Sequence, residues 1–275
     1  MIGAIIGDVV GSRYEFLNFK SKDFELFNKV CCYTDDSLCS IAIAEALLNN
    51  KDILNDESKT EELHKEIVKS LIKYFKFDSE AGYGGRYYKW ALGMNDYQPY
   101  NSFGNGSAMR VSSVGWLANS EEEVLRLAKI TAEVTHNHSE GIKGAQAIAM
   151  CIYLARIGKS KEEIKEYIYD NFYPILDYLD YDELVSTYKF NETCQGSVPQ
   201  AIYCFLISES FEDALKTAVS IGGDTDTIAC MAGGIAEAYY NNEETKKTIE
   251  EFTKYKFIPN KWIDICKKIK ENVRF

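Results

Sequence analysis

Two stretches decide the fold: Tyr33-Thr34-Asp35-Asp36-Ser37 and Gly222-Gly223-Asp224-Thr225-Asp226-Thr227. Each runs directly into an apolar helical pattern, Leu38 to Leu48 after the first and Thr227 to Ala236 after the second. Asp, Ser and Thr at a helix start are ordinary caps that suit its dipole, and one such cluster needs no further explanation. Two clusters, each richer in oxygen ligands than a cap requires, point to halves of one cation site. Neighbouring carboxylates in a cleft repel by about 4 kcal/mol per pair at about 4 Å and an effective dielectric of about 20, so their convergence calls for a counter-ion. The two-residue spacing of Asp224 and Asp226 puts them on one face of an extended segment but on different faces of a helix, so both are expected in the loop. Hard carboxylate and hydroxyl ligands select Mg²⁺ or Mn²⁺; zinc would bring Cys and His.

Outward from these stretches, 3.6-period segments dominate, alternating runs are few and there are four prolines, which predicts an all-α protein. No repeat, low-complexity tract or linker interrupts the chain, so one domain, 1–275, is expected, long enough for a sizeable core. Helices are predicted from about Ser37 to Leu48, up to Phe75 behind a capping-box spacing of Ser58 with Glu61, and behind Ser120 with Glu123 and Ser160 with Glu163. Ser139 to Ile157 reads as a central helix, with Gly141, Gly144, Ala145, Ala147 and Ala149 allowing close contacts. Residues 174 to 197 read as irregular, Ser197 and Pro199 as the opening of a helix through Ile207, and Pro259 as the divider of two amphipathic helices.

The formal net charge of -11 argues against a general nucleic-acid or anionic-membrane binder, while a local pocket for a small anion stays compatible with it. Eight cysteines without C-x-x-C spacing do not form a disulfide framework and fit a reducing cytoplasm; Cys39, Cys151, Cys204 and Cys230 fall in apolar patterns as core residues. Met1 to Gly11 lacks a basic flank and contains Asp8, unlike a secretory signal, and no apolar run reaches about 18 residues.

Three loops between the helices offer ligand contacts. Gly82-Tyr83-Gly84 combines unusual backbone angles with a ring able to stack, or is a plain tight turn. Ser102-Phe103-Gly104-Asn105-Gly106-Ser107 runs toward a helix with backbone N–H groups for a phosphate, though it lacks the P-loop ending, and Asn-Gly is also an ordinary turn. His136 and His138, two apart with no Cys nearby, do not make a zinc site; one of them facing a ligand would donate to a phosphate, and the alternative is a hydrogen-bonded structural histidine. His64 lies in a charged helix.

Taken together, these residues resemble the ADP-ribosylglycohydrolase family. The likeness runs from Gly3-Ala4-Ile5-Ile6-Gly7-Asp8-Val9-Val10-Gly11 to the Gly-Gly-Asp-Thr-Asp-Thr stretch, with the motifs in family order. The paired Thr-Asp-Asp and Gly-Asp-Thr-Asp-Thr motifs carry its specificity. The resemblance implies an all-α fold with two divalent cations, Mg²⁺ or Mn²⁺, in a cleft, and cleavage of the bond between ADP-ribose and an acceptor. By motif, it implies that Thr34, Asp35, Asp36, Asp224, Asp226 and Thr227 bind metal and that Glu15 and Asp36 are catalytic. Phe103, Asn105, Gly106, Ser107 and His136 would face ADP-ribose, with Gly82, Tyr83 and Gly84 at its ribose end. Ser37 stands where many members have Thr, and Ser113 where many have Pro.

The chemistry this implies has the cations holding the distal ribose and a water near its anomeric carbon, with Glu15 as acid or base; a surface salt bridge is the competing role for Glu15. Carboxylates suit an oxocarbenium-like state. The implied partner is an ADP-ribosylated protein or a small ADP-ribose conjugate, with the acceptor and oligomeric state open. Two other readings remain: an ADP-ribose or nucleotide binder without turnover, and a metal-dependent phosphohydrolase.

Overall fold

The computed structural model describes residues 1–273; Arg274 and Phe275, the end of the expected 1–275 domain, lie outside the described residues. Every regular element among the described residues is a helix, as the periodicity predicts, and one isolated bridge joins the loops at Gly104 and Thr193. The innermost pair is Ile2–Gly11 and Thr225–Tyr239. Ile2–Gly11 is buried at every position, as a helix apolar on all sides must be. Gly3, Gly7 and Gly11 fall on one stripe, and a Cβ on them would overlap the carbonyl oxygens of Gly233, Ala229 and Thr225. Rising numbers on one helix meet falling numbers on the other, so the two run antiparallel at near-backbone contact. This packing delivers Asp8 to the start of the Thr225–Tyr239 helix.

Asp35–Asn49 packs across Ile2–Gly11 and is covered by Thr60–Phe77 and Asn260–Glu271. The expected central helix is Ser139–Arg156, which touches Thr225–Tyr239, Glu121–Glu133 and Cys194–Ile207. The glycines serve the contacts predicted for them, since a Cβ at Gly144 would meet the Cys194 side chain. Cys39, Cys151, Cys204 and Cys230 are buried free thiols. No helix among the described residues is long and apolar enough to cross a membrane.

Several boundaries differ from the sequence reading, each for a local reason. Asp56, not Ser58, caps the chain ahead of Thr60–Phe77: its carboxylate accepts from Ser58 N at 3.0 Å, and Ser58 falls inside a 3₁₀ turn, Glu57–Lys59. At Ser120 the box is half formed, because Glu123 turns its carboxylate to Asn119 N at 2.7 Å, whereas Ser160 and Glu163 form both bonds. The segment read as irregular holds a 3₁₀ turn, Pro174–Tyr178, and a helix, Tyr181–Thr187, capped by Asp180. Thr193 caps the next helix, so Cys194–Ile207 begins before Ser197 and Pro199 lies inside it, at the loss of one intrahelical bond. Glu243–Tyr255 and Asn260–Glu271 flank Pro259 as expected.

Candidate metal centre

The ends of three helices bring their acids to one place. Asp8 comes from Ile2–Gly11, Asp35 and Asp36 from the first turn of Asp35–Asn49, and Asp224 and Asp226 from the start of Thr225–Tyr239. Glu15 arrives from the turn after the first helix. Asp8, Asp36 and Asp226 each offer a carboxylate oxygen within 4.8 Å of the others, and so do Glu15, Asp224 and Asp226. Asp226 belongs to both triads. Two oxygen triads with a shared member match the demand of two cations about 4 Å apart.

The expectation that Asp224 and Asp226 both belong to the loop is corrected: Asp226 lies in the first helical turn and Asp224 is its N-cap. They still meet, because Asp224 at φ -78°, ψ 71° is outside helical geometry and free of the helical step between side chains. Gly222 and Gly223, at φ of 70° and 77°, make the turn that sets this up.

Asp8 is the acid that sequence reasoning did not assign to the site. Its oxygens accept from Thr34 N at 3.0 Å, Thr34 Oγ1 at 2.7 Å, Ser37 N at 3.0 Å and Ser37 Oγ, so it fixes the start of the Asp35–Asn49 helix. The available signal was a single acid in a helix otherwise apolar on every side, where a buried charge requires partners. Thr34 is thereby engaged between Asp8 and Asp36 N, which it caps at 3.3 Å. Thr227 Oγ1 donates to Asp36.

No direct basic partner offsets these charges in the hydrogen bonds and ion pairs of the described residues. Burial, then the charges of Asp226 and Asp8, raises Asp35 and Asp36 well above the carboxylate range. Asp226 is raised likewise, by burial and then by Asp224, and Asp8 rises through burial. Burial brings Asp224 to about 6 and Glu15 to about 8, Glu15 with further contributions from Asp226 and Asp8. Asp36 Oδ1 is buried with no hydrogen-bond partner among the described residues. An orphaned carboxylate oxygen among hard oxygen donors, with no Cys or His in the triads, fits a hard divalent cation.

Glu15, Asp35, Asp36, Asp224 and Asp226 face a cleft of about 270 Å³, with Asp8 buried behind them. Of the residues expected at a ligand, Gly82, Gly84, Phe103, Asn105, Gly106 and His136 line it. Tyr83 does not: its ring stacks on Tyr87 at 5.1 Å and meets Phe75 edge-on, because Gly82 at φ 95° turns the chain and sends the next side chain inward. Ser107 is also turned away, its hydroxyl donating to Gly141 O at 2.7 Å. Asn105 spends its amide on Asp224 Oδ2 at 2.7 Å, so it orients an acid as well as lining the wall. Phe103 is 41% exposed, with its ring at the edge of His138. His138 itself caps Ser139–Arg156 by accepting from Glu140 N at 3.1 Å, and His64 pairs with Glu133 at 2.9 Å. Arg110 and Phe190, unassigned in the sequence, also line the cleft. A larger open groove, about 1100 Å³, follows the Thr60–Phe77 helix, but neither carboxylate triad lies in it.

Comparison with known proteins agrees with this architecture. A sequence model described as ADP-ribosylglycohydrolase matches residues 1–271. The chain is 28% identical to the ADP-ribosylhydrolase ARH3 of Mus musculus, over 98% of this chain and 87% of that protein. It is 23% identical to the ADP-ribosylarginine hydrolase Tri1 of Pseudomonas putida, over 87% of this chain and 69% of that one. A solved structure named ADP-ribosylglycohydrolase-related protein complex shares the fold with a TM-score of 0.67 at 20% identity, covering 99% of this chain and 93% of its own.

Proposed function

The chain belongs to the ADP-ribosylglycohydrolase family, and on that premise we propose that it hydrolyses the bond between ADP-ribose and an acceptor, with two divalent cations, Mg²⁺ or Mn²⁺, held in the acidic cleft. The observation that carries this reading is the pair of carboxylate triads sharing Asp226. Its substrate is an ADP-ribosylated protein or a small ADP-ribose conjugate, in keeping with the names of its relatives.

Asp35, Asp36, Asp224 and Asp226, with Thr34 and Thr227, would hold the cations; Asp8 and Glu15 complete the two triads, and Asp8 also anchors the start of the Asp35–Asn49 helix through its bonds to Thr34 and Ser37. Bound divalent cations supply the positive charge that this cluster lacks and Lewis acidity toward oxygen. Glu15 stands at the cleft, its carboxyl raised to about 8 in the cation-free protein by burial and then by Asp226 and Asp8, and it is placed to give a proton to a leaving group and to take one back from water. Asp36 and its neighbours present negative charge to an anomeric carbon that becomes cationic in the transition state. Gly82 and Gly84 leave room beside Asp35 for a ribose, while the exposed Phe103 ring, the Gly106 backbone and His136 form a wall for the rest of ADP-ribose.

The test is incubation with arginine-linked, serine-linked and acetylated ADP-ribose, with and without EDTA. Release of free ADP-ribose from at least one of them, lost in EDTA and restored by Mg²⁺ or Mn²⁺, is the expected outcome. Inorganic phosphate or AMP as product would make the protein a phosphohydrolase, and binding without turnover of any conjugate would make it a binding protein.

A further inference from the structure

His136 lines the cleft just beyond the Glu121–Glu133 helix. Its Nδ1 lies 2.7 Å from Thr135 Oγ1, and that oxygen accepts from Arg110 Nη2 at 2.8 Å. Arg110 is anchored in turn, the same nitrogen donating to Thr131 O at 2.9 Å, and it is buried together with Thr135. A guanidinium has only donors, so the direction of its bond to Thr135 is fixed. The hydroxyl keeps a single proton, and His136 Nδ1 is the acceptor it meets among the described residues. Reversed, with an Nδ1–H donating to Thr135, that hydroxyl proton would be buried without a partner.

We propose that Arg110 and Thr135 are positioning residues that hold His136 as the neutral imidazole protonated on Nε2, so that the cleft wall presents a neutral hydrogen-bond donor to an acceptor-only oxygen of the ligand, such as one of a pyrophosphate. Nε2 makes no hydrogen bond within the described residues, and Gly104 and Gly106 leave space before it: a Cβ on them would lie 3.6 and 3.2 Å from this nitrogen. An imidazolium is disfavoured as well, since burial, followed by the nearby Arg110 and Arg86 charges, holds His136 well below its ordinary pKa. A neutral ring protonated on Nδ1 would offer Nε2 as an acceptor and would favour a ligand hydroxyl instead. The choice of ligand rests on the ADP-ribose reading of the cleft; the tautomer belongs to the free protein.

The test is a long-range ¹H–¹⁵N correlation spectrum of the ¹⁵N-histidine-labelled, ligand-free protein at about pH 7, in which Thr135→Ser and Thr135→Val are compared and H136Q identifies the resonances of His136 among three histidines. The parent and Thr135→Ser should show the Nε2–H pattern, and Thr135→Val a mixture of tautomers. The dissociation constant for ADP-ribose should rise about tenfold in Thr135→Val and be largely rescued in Thr135→Ser. An Nδ1–H or imidazolium pattern in the parent, or an unchanged Nε2–H pattern in Thr135→Val, overturns the proposal. The expected tautomers in a protein that binds no ADP-ribose would support the positioning chain and remove the ligand assignment alone.

Discussion

Thr227 Oγ1 donates to Asp36 Oδ2 at 3.1 Å, tying two helix starts together across 191 positions of chain. The bond serves one oxygen of Asp36 and leaves the other buried and unpaired. Without a cation, the raised pKa values of Asp35, Asp36 and Asp226 mean that the folded chain binds more protons than the unfolded one. Stability in EDTA therefore falls as pH rises above the ordinary carboxylate value toward these raised ones. Bound cations oppose the fall, so the gain in thermal stability from Mg²⁺ or Mn²⁺ should widen as pH rises above the ordinary carboxylate range, to about 3 kcal/mol at saturation. Asp36→Asn should raise the melting temperature in EDTA and remove most of the gain. A metal-induced shift of the same size at every pH would contradict this account.

Asp8→Asn should act with the opposite sign on the cation-free protein. Four donors converge on the Asp8 carboxylate, and an amide would turn N–H groups toward some of them. The loss should be about 3 kcal/mol in denaturant unfolding with EDTA present. If Asp8→Asn and Asp36→Asn both raise the unfolding midpoint, Asp8 does not anchor the helix start.

The all-α fold is legible in the sequence because helical periodicity is a local property, and the two acidic stretches are legible because each holds more oxygen-bearing side chains than a helix cap requires. Asp8 is less so. One acid in an apolar run reads as an interruption until the Gly3, Gly7, Gly11 stripe is taken as the mark of a helix buried on all sides. The placement of Asp226 in a helical turn depends on the conformations of Gly222 and Gly223, and the inward turn of Tyr83 depends on Gly82 and on a partner ring at Tyr87. Neither follows from residue spacing. Asp56 took the cap expected of Ser58 because both are capping residues two positions apart, and only geometry decides between them.

Glu15→Gln should lower kcat by about 10²- to 10⁴-fold while leaving the dissociation constant for ADP-ribose within about threefold. Burial, then Asp226 and Asp8, raises Glu15 to about 8, and a group needed in its protonated form loses activity as pH rises through its pKa. Neighbouring cations offset the two like-charge contributions, so the basic limb of kcat/KM should lie below 8. Glu15→Gln should lose that limb. A variant with parental kcat, or with the limb intact, would remove Glu15 from the chemistry.

Gly7→Ala tests the packing that assembles the centre. Its Cβ would overlap the backbone of Ala229, and neither helix has room to yield, because Gly3 and Gly11 hold the same close approach on either side. Prising the helices apart should cost about 3 kcal/mol or more. It should also separate Asp8 from Asp226, so Mg²⁺ and Mn²⁺ affinity should fall even at temperatures where the variant is folded. Gly84→Ala is the matched control: at φ -56°, with nothing within 4 Å of the added methyl, it should unfold within about 0.5 kcal/mol of the parent. Gly7→Ala with parental stability and parental metal affinity would mean that the acids are held together by their own hydrogen bonds and not by the approach of the two helices.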